Sequence, residues 1–179
     1  MGAVVLEIMS MTVLRPNKEL RLAQWPEVDW ENKILNIPAW RMKTKKLKEL
    51  GKPFRVPLVD RVMELLRRLR EQANGSPYIF TGYSQEPLAE RTMNRLLRDT
   101  MGLSKDEATV HGLRSTFRTW VAETDFDQLA AEICLSHVVG DKSVQAYLRS
   151  DMLEKRRQIM TAWSDYCNLG GPYSVATAL

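Results

Sequence analysis

Soft metal ligands are scarce in this chain. Its 179 residues include two cysteines, Cys134 and Cys167, and two histidines, His111 and His137. Both thiols fall inside apolar helical patterns, which gives no disulfide framework and reads as reduced core thiols of a cytosolic protein. Cys134 and His137 can chelate as a pair, but a zinc site needs further partners, and Cys167 and His111 are the only other soft ligands. No apolar run approaches the roughly 20 residues needed to span a bilayer. The apolar opening from Gly2 to Met11 lacks a basic leader and a cleavage motif, so it reads as a helix and not as a signal peptide. A nucleophile elbow of the Gly-x-Ser-x-Gly type, a glycine-rich phosphate loop and a His-Glu-x-x-His pair are all missing. Asp125-Phe-Asp127 lacks the glycine and terminal glutamate of a calcium loop. Metal, cofactor and membrane are therefore not expected.

What is present is the composition of one soluble domain, 44% hydrophobic and 27% charged. The length suffices to bury a core without metals or disulfides. The net charge is +4, and its distribution is more informative than its size. Seven basic residues (Arg41, Lys43, Lys45, Lys46, Lys48, Lys52 and Arg55) stand against one acid, Glu49, between positions 41 and 55. Such a run is either a solvated hairpin tip or a surface that neutralises nucleic-acid phosphates and releases their counterions.

Periodicity predicts an α+β protein, mainly α, with a small antiparallel sheet in its N-terminal third. Val4, Val5, Ile8 and Met11 share one helical face. Arg15-Pro16 marks a new start, with a helix expected to about Gln24. The period then changes: Ile34–Ile37 and Phe54–Leu58 read as short strands flanking the basic tip. Everything after Asp60 reads helical. Asp60 is expected to cap a helix striped by Val62, Leu65, Leu66 and Leu69. Further helices are expected over about 88–101, over about 111–124, from Asp127, from Ser143 (carrying Tyr147) and from Asp151.

His111 and Arg114 lie three apart, so a helix sets them side by side, with Leu113 and Phe117 toward the core. A lone histidine is most often a satisfied structural residue. An imidazole beside a guanidinium is, however, a natural phosphate site.

Here the residues carry a resemblance. His111-Gly-Leu-Arg114-Ser-Thr-Phe-Arg118-x-Trp120, then Leu135-Ser-His137, then Ala146-Tyr147-Leu-Arg149, resembles the tyrosine recombinases, most closely the integrases of P4-like phages and genomic islands. Arg15-Pro followed by Glu19 is similar to that family's first-arginine segment. Arg41-Met-Lys43 followed by Arg55-Val-Pro-Leu58 is similar to its β-hairpin with the catalytic lysine. In the family the acid follows the arginine by three places. Here position 18 is Lys and the acid is Glu19, which implies either a one-residue bulge or a rearranged turn.

The resemblance implies a catalytic domain over 1–168, a tail over 169–179, and N-terminal DNA-binding domains outside the fragment. It implies that Arg15 and Arg114 clamp the scissile phosphate and that Lys43 protonates the leaving 5′-oxygen. His111 would act as acid/base, His137 would donate a hydrogen bond to the phosphate, and Tyr147 would attack. Lys45 or Lys46 can stand in for Lys43, and Tyr166 is the competing tyrosine, read as packing. Arg41, Lys45, Lys46, Arg118 and Arg149 would contact the DNA backbone. The implied partner is double-stranded DNA, engaged as a homo-tetramer, in the cytoplasm of a bacterial host at the nucleoid. A DNA-binding regulator without cleavage and a type IB topoisomerase-like relaxing enzyme are the rivals.

Overall fold

The computed structural model describes residues 2–82, 85–137 and 150–168. Helix α1 (Gly2–Thr12) runs through the middle of the core, with Val5, Ile8, Met9 and Met11 buried. It packs against α3 (Asp60–Glu71), α4 (Thr92–Arg95) and α7 (Leu153–Asn168). The expected stripe of α3 is buried, and Met63 joins it. Asp60 does not cap that helix, because its carboxylate is drawn to Lys33 Nζ at 2.5 Å and Val59 precedes the first turn.

The sheet has three antiparallel strands in the order β1 (Val28–Asp29), β2 (Ile34–Ile37), β3 (Phe54–Pro57). Leu35 pairs with Val56 and Ile37 with Phe54. Pro57, which has no amide hydrogen to give a ladder, sits on the edge strand. The β2–β3 connection carries the basic run and is not a bare tip: it holds a short helix, α2 (Lys45–Glu49).

Two expected helices are shorter than periodicity suggests. The segment after Arg15 makes only a π-turn over Pro16–Leu20. The chain is then pulled extended at Gln24, which bridges Tyr78 while the Trp25 amide donates to the Pro77 carbonyl at 3.0 Å. The helix expected over 88–101 is α4 followed by a second π-turn, Leu96–Thr100. Helix α5 (Gly112–Ala122) matches its expected span closely, and Asp127 caps α6 (Gln128–Cys134) by accepting from the Leu129 and Ala130 amides. The helix expected from Ser143, with Tyr147 and Arg149, lies outside the described residues, as does the segment 169–179.

Helix α7 closes the domain through aromatic packing. Trp163 meets Phe117 edge-on at 5.4 Å between ring centres, and its indole N–H donates to the Ser10 carbonyl at 2.7 Å. Tyr166 stacks on Trp163 at 5.5 Å, a packing role. Trp163→Ala is expected to cost about 3–5 kcal/mol, because a large buried ring and its hydrogen bond leave together; urea unfolding measures it. No described helix is long and apolar enough to cross a membrane.

Candidate active site

Three elements converge on two arginines. Arg114 projects from the first turn of α5 and is buried. One terminal nitrogen donates to the carbonyl of Val13, just past α1, and the other to the carbonyl of Leu135, just past α6, at 2.6 Å. Val13 holds a left-handed backbone (φ +49°), an uncommon state for a β-branched residue. Its carbonyl is thereby turned out of the helix ladder and available to Arg114. Burial, with the charge of Arg15 nearby and against the opposing pull of Glu19, presses the Arg114 guanidinium down to about 10. It still carries its charge near neutrality.

Arg15 lies at the mouth of this seam. Its Nη1 donates to Glu19 Oε1 at 2.8 Å and to Ser136 Oγ at 2.6 Å, and its amide donates to Glu19 Oε2 at 3.0 Å. Ser136 Oγ in turn donates to Glu19 Oε2 at 3.2 Å. Glu19 is 1% exposed, so it is committed to this network. The π-turn accounts for the shifted acid: the Leu20 amide reaches back five residues to the Arg15 carbonyl at 3.1 Å, and Arg21 likewise to Pro16 at 3.0 Å. A π-turn takes up one extra residue within a helical turn. The additional position is therefore absorbed as a bulge, and Glu19 still meets Arg15.

His137 is set by the end of α6. The Ser136 amide donates to the Ile133 carbonyl at 2.8 Å and the His137 amide to the Glu132 carbonyl at 3.1 Å, the paired bonds of a Schellman cap. Ser136 occupies the left-handed position (φ +51°) usually given to glycine. Its hydroxyl explains a serine there, since it bridges Arg15 and Glu19. His137 Nδ1 lies 2.6 Å from Glu132 Oε2, and Glu132 also meets the Arg118 guanidinium. Burial pushes the Glu132 carboxyl up, but the His137 and Arg118 contacts together bring it below its ordinary value.

His111 is exposed at the start of α5, and its carbonyl accepts from the Arg114 amide at 3.1 Å, one turn before that arginine's side chain enters the seam. The loop leading to it is held by Arg98, which donates to the carbonyls of Ser104 at 2.8 Å and Ala108 at 2.6 Å. Beside it, Arg91, Asn94, Arg95, Arg98, Asp99, Lys105 and Thr109 line a groove of ≈ 410 Å³ with four cations against one acid. Arg91, Arg95 and Arg98 fall within the span expected as a helix over 88–101, but the groove forms only where Lys105 and Thr109 arrive from a separate loop.

Arg15, Arg114 and the turn bearing His137 are thus brought together, with His111 next to them. Lys43 is exposed in the β2–β3 connection and has no hydrogen-bond or ion-pair partner among the described residues. Lys45 faces Glu49 at 3.7 Å on α2, and Lys46 is exposed there. Arg118 spends donors on Gln128 and Glu132, so it is not a free surface charge.

Arg41 corrects the sequence reading. Expected as a DNA contact, it is 1% exposed, donates to the Leu22 carbonyl and pairs with Glu27 Oε2 at 2.5 Å. It fastens the β2–β3 connection to the segment after the π-turn and has no face for DNA. Removing one partner of a buried pair strands the other charge, so Arg41→Ala is expected to cost about 3–5 kcal/mol. Urea unfolding reads that loss; a variant of unchanged stability with weakened DNA binding would return Arg41 to the DNA-facing surface.

The model of the phage integrase family matches residues 2–154. The chain belongs to the phage integrase family. It is similar to the integrase of Shigella phage Sf6, 32% identical over 91% of this chain and 41% of the relative, and to the prophage integrase IntA of Escherichia coli strain K12, 33% identical over 87% and 36%. The integrase of enterobacteria phage P4 is 28% identical over 94% and 40%. The chain therefore spans about two fifths of the length of these integrases. Its fold is similar to that of the XerA recombinase, with a TM-score of 0.55 at 20% identity over 96% of this chain and 64% of the other. The Tn1549 transposon integrase, solved in complex with circular intermediate DNA, gives 0.53 at 17% over 83% and 57%.

Proposed function

We infer that this chain is the catalytic domain, over 1–168 with a tail at 169–179, of a tyrosine-type site-specific recombinase that cleaves and rejoins DNA. The observation that carries this reading is the buried Arg114 beside Arg15, backed by Glu19 and Ser136 and flanked by His111 and His137. Two guanidiniums held together in a partly desolvated seam are unfavourable alone and favourable around an anion. Their planar donors match the non-bridging oxygens of a phosphodiester, on which negative charge grows during transfer.

Each step then has an owner. The Tyr147 hydroxyl oxygen attacks phosphorus and forms a 3′-phosphotyrosyl bond. The bond to the 5′-oxygen breaks, and Lys43, on its exposed connection, supplies the proton that makes the leaving group a 5′-hydroxyl. His111 takes up and returns the tyrosine proton, and His137 donates to the phosphate. A free tyrosine hydroxyl ionises near 10, roughly, so the cationic seam is what makes it reactive near neutrality. The guanidiniums and Lys43 supply the charge stabilisation and the proton without a metal, and covalent storage of the bond energy dispenses with a nucleotide. Rejoining is the reverse step.

The partner is double-stranded DNA, approached by the basic β2–β3 connection through Lys45 and Lys46, by the groove of Arg91, Arg95 and Lys105, and by Arg149 at the backbone. A homo-tetramer would join two sites, in the cytoplasm of a bacterial host at the nucleoid.

The test is covalent trapping. The full-length protein is mixed with a random-sequence pool of nicked duplexes, which release the leaving strand and prevent rejoining. Detergent-resistant adducts are isolated and sequenced. An adduct enriched for one duplex sequence is expected. Complexes that never resist detergent would favour a regulator without cleavage. Adducts of no sequence preference, with relaxation of any plasmid, would favour a topoisomerase-like enzyme.

A further inference from the structure

We propose that Glu132 is the positioning residue for His137, holding its ring so that Nε2 faces the scissile phosphate; this rests on the recombinase reading above. Nothing in the sequence resemblance assigns Glu132 a role. It lies on α6, five residues before His137, and the Schellman cap folds the chain back so that the two side chains meet. Glu132 Oε2 is 2.6 Å from His137 Nδ1. The carboxylate does not float: its Oε1 is met by Arg118 from α5, and Arg118 is itself steadied by Gln128 Oε1 at 3.0 Å. The relay Arg118–Glu132–His137 therefore runs from α5 to the turn whose Leu135 and Ser136 bind Arg114 and Arg15.

The consequence for His137 is geometric. An imidazole offers two ring nitrogens on opposite edges, and the bond made by one decides where the other points and which proton it carries. With Nδ1 fixed on a carboxylate, rotation about the ring axis is stopped and Nε2 is the only edge left for DNA. A carboxylate on a catalytic imidazole works in this way elsewhere, orienting the ring and stabilising its charged form. Although burial pushes the Glu132 carboxyl up, the His137 contact first and the Arg118 contact second bring it below its ordinary value. A plain α5–α6 tie would need only the Arg118 half of the arrangement.

Single-turnover cleavage of the trapped duplex sequence by the full-length protein tests the assignment, with duplex binding measured alongside. Glu132→Ala is expected to slow cleavage by roughly 10- to 100-fold, the range for a displaced catalytic group, with binding unchanged. Glu132→Gln, whose amide oxygen still accepts from Nδ1–H while its amide nitrogen faces the Arg118 guanidinium, is expected to recover part of that rate. The deciding readout is the double-mutant cycle: on a His137→Ala background, Glu132→Ala should cause no further loss. If Glu132→Ala melts early, the cycle is run with Glu132→Asp, which keeps the charge but shortens the reach. Equal losses with and without His137, or wild-type rates in Glu132→Ala, would overturn the proposal. Wild-type protein that forms no adduct would instead bring down the recombinase reading.

Discussion

Arg114→Lys is expected to lower DNA cleavage by roughly 10²- to 10³-fold, the usual loss when one oxyanion donor is removed. The conservative exchange fails because of what the guanidinium does at once. It spends one hydrogen on the Val13 carbonyl and another on the Leu135 carbonyl, and each terminal nitrogen retains a second for an anion. A lysine ammonium is a point donor on a flexible stem and cannot span both carbonyls while facing a phosphate. The loss should appear in the cleavage step, with duplex binding weakened much less. Arg114→Ala is the poorer probe, since it leaves two buried carbonyls unpaired, each costing about 1–3 kcal/mol. Lysine at 114 with full cleavage would mean that this seam is structural and that the phosphate sits elsewhere.

Tyr147→Phe is expected to abolish the covalent adduct altogether, a loss on the order of 10⁴-fold or more, because no other group takes over a missing nucleophile. The variant removes one oxygen and keeps the ring, so duplex binding should persist. The combination separates chemistry from recognition. A variant that neither cleaves nor binds would point to a folding role for the ring, whereas undiminished adduct formation would move the nucleophile to another tyrosine.

The C-terminal half of the seam was legible in the sequence because its parts are local. His111 and Arg114 share a helical turn, Asp127 opens α6 with a side-chain cap, and Leu135-Ser136-His137 follows directly on that helix. The β2–β3 pairing was equally legible, since alternation and prolines specify strand edges. What escaped depends on contacts distant in sequence. Counting cations could not separate Arg41 from Lys45: one is drawn inward by Glu27 and the Leu22 carbonyl, the other is left in solvent. Glu132 looked like any polar position on α6, because its partner Arg118 comes from another helix. The helix expected after Pro16 was cut short by the Gln24–Tyr78 bridge, a pairing no local pattern announces. The offset acid at Glu19 was visible, yet only the five-residue hydrogen bonds of the π-turn decide between a bulge and a rearrangement.

The nucleophile is tested most directly by mapping the protein–DNA bond. The trapped adduct is digested with trypsin and nuclease, and the peptide carrying the residual nucleotide is identified by mass spectrometry. Tyr147 falls in the peptide 143–149, whereas the competing Tyr166 falls in the peptide that begins at Gln158. The nucleotide is expected on the 143–149 peptide, at Tyr147. Its appearance on the peptide that begins at Gln158, or on no tyrosine at all, would contradict the account.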